Sequence, residues 1–191
     1  MIVAVYGSPR KGGNTDILLD SFLQPISRHE SIDRFYLRDL TLKPCIACGK
    51  CDKTGICIFN DDLWGIYEKI ESASAVVLSS PIHFASVTSI MKIFVDRAQP
   101  FWARKYLLGR KNPHPERKGF FICSGAINTD KHFLNSKLVI QTLFKNLDIE
   151  YSGDLFFSGV DGKGEIRNKA GAIHSASCSG TDFLKRLESG T

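Results

Sequence analysis

Four of the six cysteines in this sequence fall in one short stretch: Cys45, Cys48, Cys51 and Cys57, at the spacing C-x2-C-x2-C-x5-C. Three thiols at consecutive x2 intervals lie on one tight loop. Four thiolates are the ligand set of a cubane 4Fe-4S cluster, a one-electron carrier, so the spacing points to an electron partner elsewhere in the chain. Other chemistry fits the same residues. Structural zinc sites usually draw on two separated C-x-x-C pairs, which this run suits poorly. Disulfide or thiol redox chemistry stays open, as does a loop of idle thiols. Gly49 and Gly55 help the loop turn but do not discriminate. Cys123 falls in an apolar run and reads as a small buried hydrophobe, while Cys178 receives no role.

A second constellation is Gly7-Ser8-Pro9-Arg10-Lys11-Gly12-Gly13-Asn14-Thr15, which follows an apolar run and opens a helical pattern. The glycines allow close backbone approach. Amides at a helix N-terminus favour an anion. Ser8, Asn14 and Thr15 add short neutral donors and Arg10 a planar charged one. Together these are suited to one phosphate group. G-x-G-x-x-G would need glycine where Pro9 stands, and the Walker loop would need lysine where Gly13 stands. A phosphatase loop would need a nucleophilic cysteine, which this loop lacks. The alternative is an ordinary turn with Asn14 as helix cap.

The elements that position these groups alternate along the chain. Ile2–Tyr6 reads as a strand buried on both faces. Leu18, Leu19, Phe22 and Leu23 mark a helix, and Ile32–Leu37 a weaker edge strand. Asp61 or Asp62 can cap a helix carrying Leu63, Ile66, Tyr67 and Ile70. Ala75–Ser79, Phe120–Ser124 and Leu155–Ser158 read as further strands. Helices carry Val87 to Val95, Ile140 to Leu147, and Phe183 to Leu187. Between Ile166 and Gly180, glycines and serines break the pattern. Ala98–Lys118, with Pro100, Pro113, Pro115, Phe101 and Trp102, reads as a loop or an insertion and a candidate interface. Five strands alternating with helices predict a three-layer α/β fold, a parallel sheet in the flavodoxin-like order 2-1-3-4-5. Ligands in such sheets sit at the carboxyl ends of the strands, at the switch point between the first and third.

The chain of 191 residues, 43% hydrophobic and 24% charged, has the composition of one globular domain spanning 1–191, with a cysteine-rich loop at 44–58. No apolar run is long enough to span a bilayer. Ile2-Val3-Ala4-Val5 follows Met1 with no basic leader, which points to a strand in a cytoplasmic protein and no membrane contact. Much of the net charge of +5 sits in Arg104, Lys105, Arg110, Lys111, Arg117 and Lys118, against Glu116. That stretch reads first as a solvated loop and second as attraction for an anionic cofactor such as NADPH. No nucleic-acid motif accompanies it.

G-S-P-R-x-G-x-N-T after a first strand resembles the NADPH-dependent FMN reductase superfamily of flavodoxin-like proteins. The resemblance implies that Ser8, Arg10, Asn14 and Thr15 hold the FMN phosphate. A second block, Ser80-Pro81-Ile82-His83-Phe84 and on through Val87, Thr88, Lys92, Asp96 and Arg97, is similar to the segment that lines the flavin ring in that family. His83 departs from the usual tyrosine. Ser124 and Gly125 are implied near the ring, while Lys92, Asp96 and Arg97 read equally as structural or interface residues. With the cysteines included, the chain resembles the iron–sulfur flavoprotein subgroup, which implies Cys45, Cys48, Cys51 and Cys57 as cluster ligands. The implied activity is an FMN-dependent oxidoreductase with NAD(P)H or a ferredoxin-like donor, a small acceptor or protein carrier, and a homodimeric or homotetrameric assembly. All redox chemistry would lie on the flavin, with no catalytic side chain. The rival is a non-enzymatic flavodoxin-like carrier or redox sensor without a cluster, a class that tends to be more acidic than this chain.

Overall fold

The computed structural model describes residues 1–110, 116–127 and 129–189. Five strands form one parallel sheet: β1 (Ile2–Tyr6), β2 (Ile32–Tyr36), β3 (Ala75–Pro81), β4 (Arg117–Gly125) and β5 (Ile149–Ser158), in the order β2-β1-β3-β4-β5. This is the predicted flavodoxin-like topology. Its central strands are apolar without alternation because both sheet faces are covered. On one face Ile2, Ala4, Tyr6, Val77, Phe120 and Ile122 pack beneath α1 (Asn14–Ile26) and α7 (Ala172–Ser189). On the other Val3, Val5, Val76, Leu78 and Phe121 pack beneath α3 (Asp62–Ser72), α4 (Ser89–Asp96) and α6 (Asp130–Asn146). β2 and β5 are half-buried along most of their length, as edge strands should be. Cys123 is fully buried, and burial pushes its thiol far up, so it is the small hydrophobe the sequence suggests.

Several elements exceed their predicted extent. β5 begins at Ile149 because Phe120 faces Gly153 while Gly119 faces Tyr151. The extra residue, Ser152, makes a bulge that hides the strand's periodicity. α7 begins at Ala172, inside the stretch whose glycines and serines obscured it. A Cβ at Gly180 would lie 1.9 Å from the Phe22 carbonyl oxygen, so the missing side chain is what lets α7 approach α1. The segment read as a loop from Ala98 starts instead as α5 (Gln99–Trp102), then a π turn over Ala103–Leu107. Lys111, Pro113 and Pro115 lie outside the described residues.

Candidate functional site

The ends of β1, β3, β4 and β5 open on one crevice. It is lined by Ser8, Pro9, Arg10, Gly13, Asn14, Thr15, Pro81, Ile82, His83, Ser124, Gly125, Ala126, Val160 and Asp161. Nine of the eleven residues expected at the flavin are in this lining. Ser80 and Phe84 are not. The Ser80 hydroxyl is buried, donates to the Pro81 carbonyl and accepts from the Thr88 amide, so it braces the loop behind the wall. Phe84 stands fully in solvent. It shares a tight turn with Ala85, closed by reciprocal His83–Ser86 backbone hydrogen bonds, and both central residues have positive φ, 46° and 62°. Two left-handed non-glycine residues in succession cost about 1–2 kcal/mol each. The Asn135 amide, donating to the Ala85 carbonyl at 2.6 Å, pins the turn.

Gly13 occupies the N-cap position of α1 in extended conformation, and no side chain caps that helix end. A Cβ there would crowd the Arg10 carbonyl and the Ser8 hydroxyl at 3.0 and 3.2 Å. The hydroxyl Oγ1 of Thr15, in a residue 1% exposed, finds no hydrogen-bond partner among the described residues. An uncapped helix end, a bare glycine and an orphaned buried hydroxyl together fit a phosphate.

The other three predicted phosphate ligands are engaged by protein. The Ser8 hydroxyl accepts from the Arg10 amide at 3.1 Å and donates to the Arg10 carbonyl at 3.2 Å. Asn14 donates to the Gly162 carbonyl at 3.0 Å and accepts from the Ile166 amide at 3.2 Å. Arg10 donates to the Asp161 carbonyl at 2.9 Å. Asn14 and Arg10 therefore latch the loop after β5 onto the phosphate loop. Glu165 holds that loop from within by accepting from the Asp161 and Gly162 amides, which lowers its carboxyl pKa. Val160, Asp161 and Ala126 escaped the sequence reading. No local motif marks them, and their place follows from parallel strand order alone.

A buried ion pair sits beneath the phosphate loop. Arg38 reaches Asp16 at 3.0 Å and donates to the Ser8 carbonyl at 3.2 Å. Asp16 also accepts from the Gly12 amide at 3.0 Å. Burial raises the Asp16 carboxyl, opposed by Arg38 and that amide. Its Oδ1 has no hydrogen-bond partner among the described residues.

The cysteine segment lies beyond β2. Its middle is α2 (Lys50–Thr54), bounded by left-handed Gly49 and Gly55 at φ 69° and 71°. Cys45 and Cys48 are exposed, Cys51 and Cys57 partly so, and all four are unbridged thiols. Arg97 holds both ends of the segment. It donates to the Lys43 carbonyl at 2.7 Å and, with two nitrogens, to both Asp61 oxygens at 2.7 and 2.9 Å. Asp61 is thus in the N-cap position of α3, as the sequence allowed, with its carboxylate committed to Arg97. Burial acts to raise the Asp61 carboxyl, but Arg97 together with backbone hydrogen bonds at Lys43 and Leu63 outweighs it, and the net shift is downward.

The four thiols do not make a ready metal cage. Among the described residues no three His, Cys, Asp or Glu side chains converge on a point where a metal ion could sit. Cys51 donates to the Asp52 carboxylate at 3.7 Å, and burial followed by that carboxylate raises its thiol, the reverse of what a thiolate ligand needs. Cys57 lies against the Arg97 guanidinium instead. As placed, the residues do not fit a cluster.

Residues 1–126 match the family of NADPH-dependent FMN reductases. The chain belongs to that family. Among curated relatives, an iron–sulfur flavoprotein of Archaeoglobus fulgidus is 33% identical over 56% of this chain and 50% of its own length. A second protein of that name from the same organism is 30% identical over 74% of this chain and 68% of its own. The chain spans about half the length of most of the curated relatives it matches. An FMN-dependent NADH-azoreductase from Bacillus anthracis, solved with FMN, superposes with a TM-score of 0.64 at 16% identity, over 95% of this chain and 98% of that one, and so shares the fold. No helix among the described residues is long and apolar enough to cross a membrane.

Proposed function

We propose that this member of the FMN reductase family is an FMN-dependent oxidoreductase that takes electrons from NAD(P)H and delivers them to a small acceptor. The observation that carries this reading is the orphaned Thr15 hydroxyl beside the uncapped N-terminus of α1, at the sheet's switch point. In this reading the first-turn amides of α1, with Ser8 and Thr15, hold the phosphate of FMN. Arg10 and Asn14 act one step back by keeping the loop after β5 closed on the phosphate loop. FMN supplies the redox chemistry: it accepts a hydride as two electrons and can release them singly. The protein binds and orients it, with the Ile82 amide donating to the Ser124 carbonyl at 2.9 Å across the wall. His83 lies in the crevice wall beside Ile82.

The reading is tested by adding FMN to apoprotein and following NADPH and NADH oxidation with an artificial acceptor. Saturable one-to-one FMN binding with steady turnover supports it. Binding with reduction only by a ferredoxin-type protein would instead make the chain an electron carrier. No FMN binding would end both readings. The cluster rests on the cysteine spacing and on the relatives' names. Anaerobic purification with iron and acid-labile sulfide analysis decides it, and an iron-free flavin spectrum after full reconstitution would leave the flavin reading intact.

A further inference from the structure

One buried side chain ties together both ends of the cysteine segment, whose middle is held by Arg104 Nε donating to the Gly55 carbonyl at 2.7 Å, and nothing in the flavin reading uses it. Arg97 is 3% exposed at the carboxyl end of α4. Besides its bonds to Lys43 and Asp61, its guanidinium lies 4.9 Å from the centre of the Phe59 ring. The contacts therefore reach residues 43, 57, 59 and 61, both ends of the segment and its last cysteine. At the other end of α4, the Thr88 hydroxyl donates to the Gly7 carbonyl at 2.6 Å and accepts from the Met91 amide. Eight residues of helix, about 12 Å, thus separate the root of the phosphate loop from the root of the cysteine segment.

We propose that Arg97 is the positioning residue of the cysteine segment. It closes the segment into a loop of fixed shape and keeps Cys57 at the root of that loop, beside the guanidinium. Two observations point this way. Phe59 and Asp61, which follow Cys57, both rest on the guanidinium, whereas Cys51 donates to Asp52 within the segment. The bidentate pair also uses the planar fork that only arginine provides, so a lysine could keep the charge and lose the geometry.

The test is disulfide mapping in the reduced, full-length protein. A diazene oxidant such as diamide takes two electrons and two protons from a pair of thiols. One S–S bond forms and the diazene becomes the hydrazine. Mass spectrometry then reads which cysteines are joined. In wild type the disulfides should link Cys45, Cys48 and Cys51, with Cys57 still a thiol. In Arg97→Gln most of the product should include Cys57, and amide exchange over residues 43–61 should be about tenfold faster. Arg97→Lys should fall between the two. FMN affinity should stay within about twofold in each variant, since Arg97 lies outside the crevice. The proposal is overturned if Cys57 enters disulfides as readily in wild type as in Arg97→Gln, or if exchange over 43–61 is unchanged. Should the arginine variants not fold, Asp61→Asn opens the same clamp from the other side and is read in the same way. Loss of FMN binding in wild type would sink the flavin reading and leave this one standing.

Discussion

The phosphate loop and the cysteine segment each hang on a buried arginine–aspartate pair, but the two pairs are used differently. Arg38 meets Asp16 through one contact, leaving Asp16 Oδ1 and the nearby Thr15 hydroxyl without partners among the described residues. Arg97 meets Asp61 through two, and both carboxylate oxygens are engaged. The carboxyl pKa values diverge accordingly, upward for Asp16 and downward for Asp61. A region with spare buried hydrogen-bonding capacity is prepared for something not yet there. At the cysteine segment both carboxylate oxygens are engaged and only a guanidinium nitrogen, Arg97 Nε, lacks a partner among the described residues, so the pair is architecture and the chemistry lies on the thiols it carries.

The largest effect expected from this contrast is on stability. Arg97→Met strands the Asp61 carboxylate, which is 9% exposed, and should cost about 3 kcal/mol in urea unfolding with FMN affinity nearly unchanged. Equal losses of stability and FMN affinity would break the contrast. Thr15→Val should do the opposite. Replacing an orphaned hydroxyl with a methyl should leave the apoprotein as stable or more so, while FMN affinity falls about tenfold, some 1.4 kcal/mol. Unchanged affinity would remove Thr15 from the phosphate site.

Acid titration sharpens the comparison further. The depressed Asp61 carboxyl contributes stability above the ordinary carboxylate range, and that contribution is lost as pH falls through its folded value. The raised Asp16 carboxyl contributes stability that is complete below its unfolded value and disappears as pH rises through its folded one. Unfolding free energies measured from pH 6 to pH 3 should therefore fall less steeply in Asp61→Asn and more steeply in Asp16→Asn than in wild type. The smallest change concerns the strained turn. Ala85→Gly relieves a positive φ and should raise stability by about 1 kcal/mol, visible as a higher melting temperature.

The sequence made most of the phosphate loop legible because its signals are local: glycines, a short polar run and a strand before it. Strand order was legible for the same reason, since each central strand is a compact apolar run. What escaped depends on contacts distant in sequence. The Asn14 side chain also accepts from the Ile166 amide, 152 positions on, a contact that no local signal announces. Arg97 reads equally as a structural or an interface residue until Lys43 and Asp61 are seen beneath it. Phe84 reads as a wall residue, but its direction is set by a backbone turn that composition does not announce. The cysteine spacing was plain, yet spacing along a chain does not dictate whether the sulfurs converge.

The Phe84–Ala85 turn carries one more consequence, and it concerns the timing of a cost. A loop that adopts such a turn only on meeting a ligand loses conformational freedom at that moment, and affinity is reduced by the amount. Here the backbone is already in place, with the Phe84 ring exposed beside His83. The fold has met the ordering cost in advance as lost stability, so a flat partner arriving at that ring finds a preorganised surface. The glycine that would relax the turn should return the expense to the encounter.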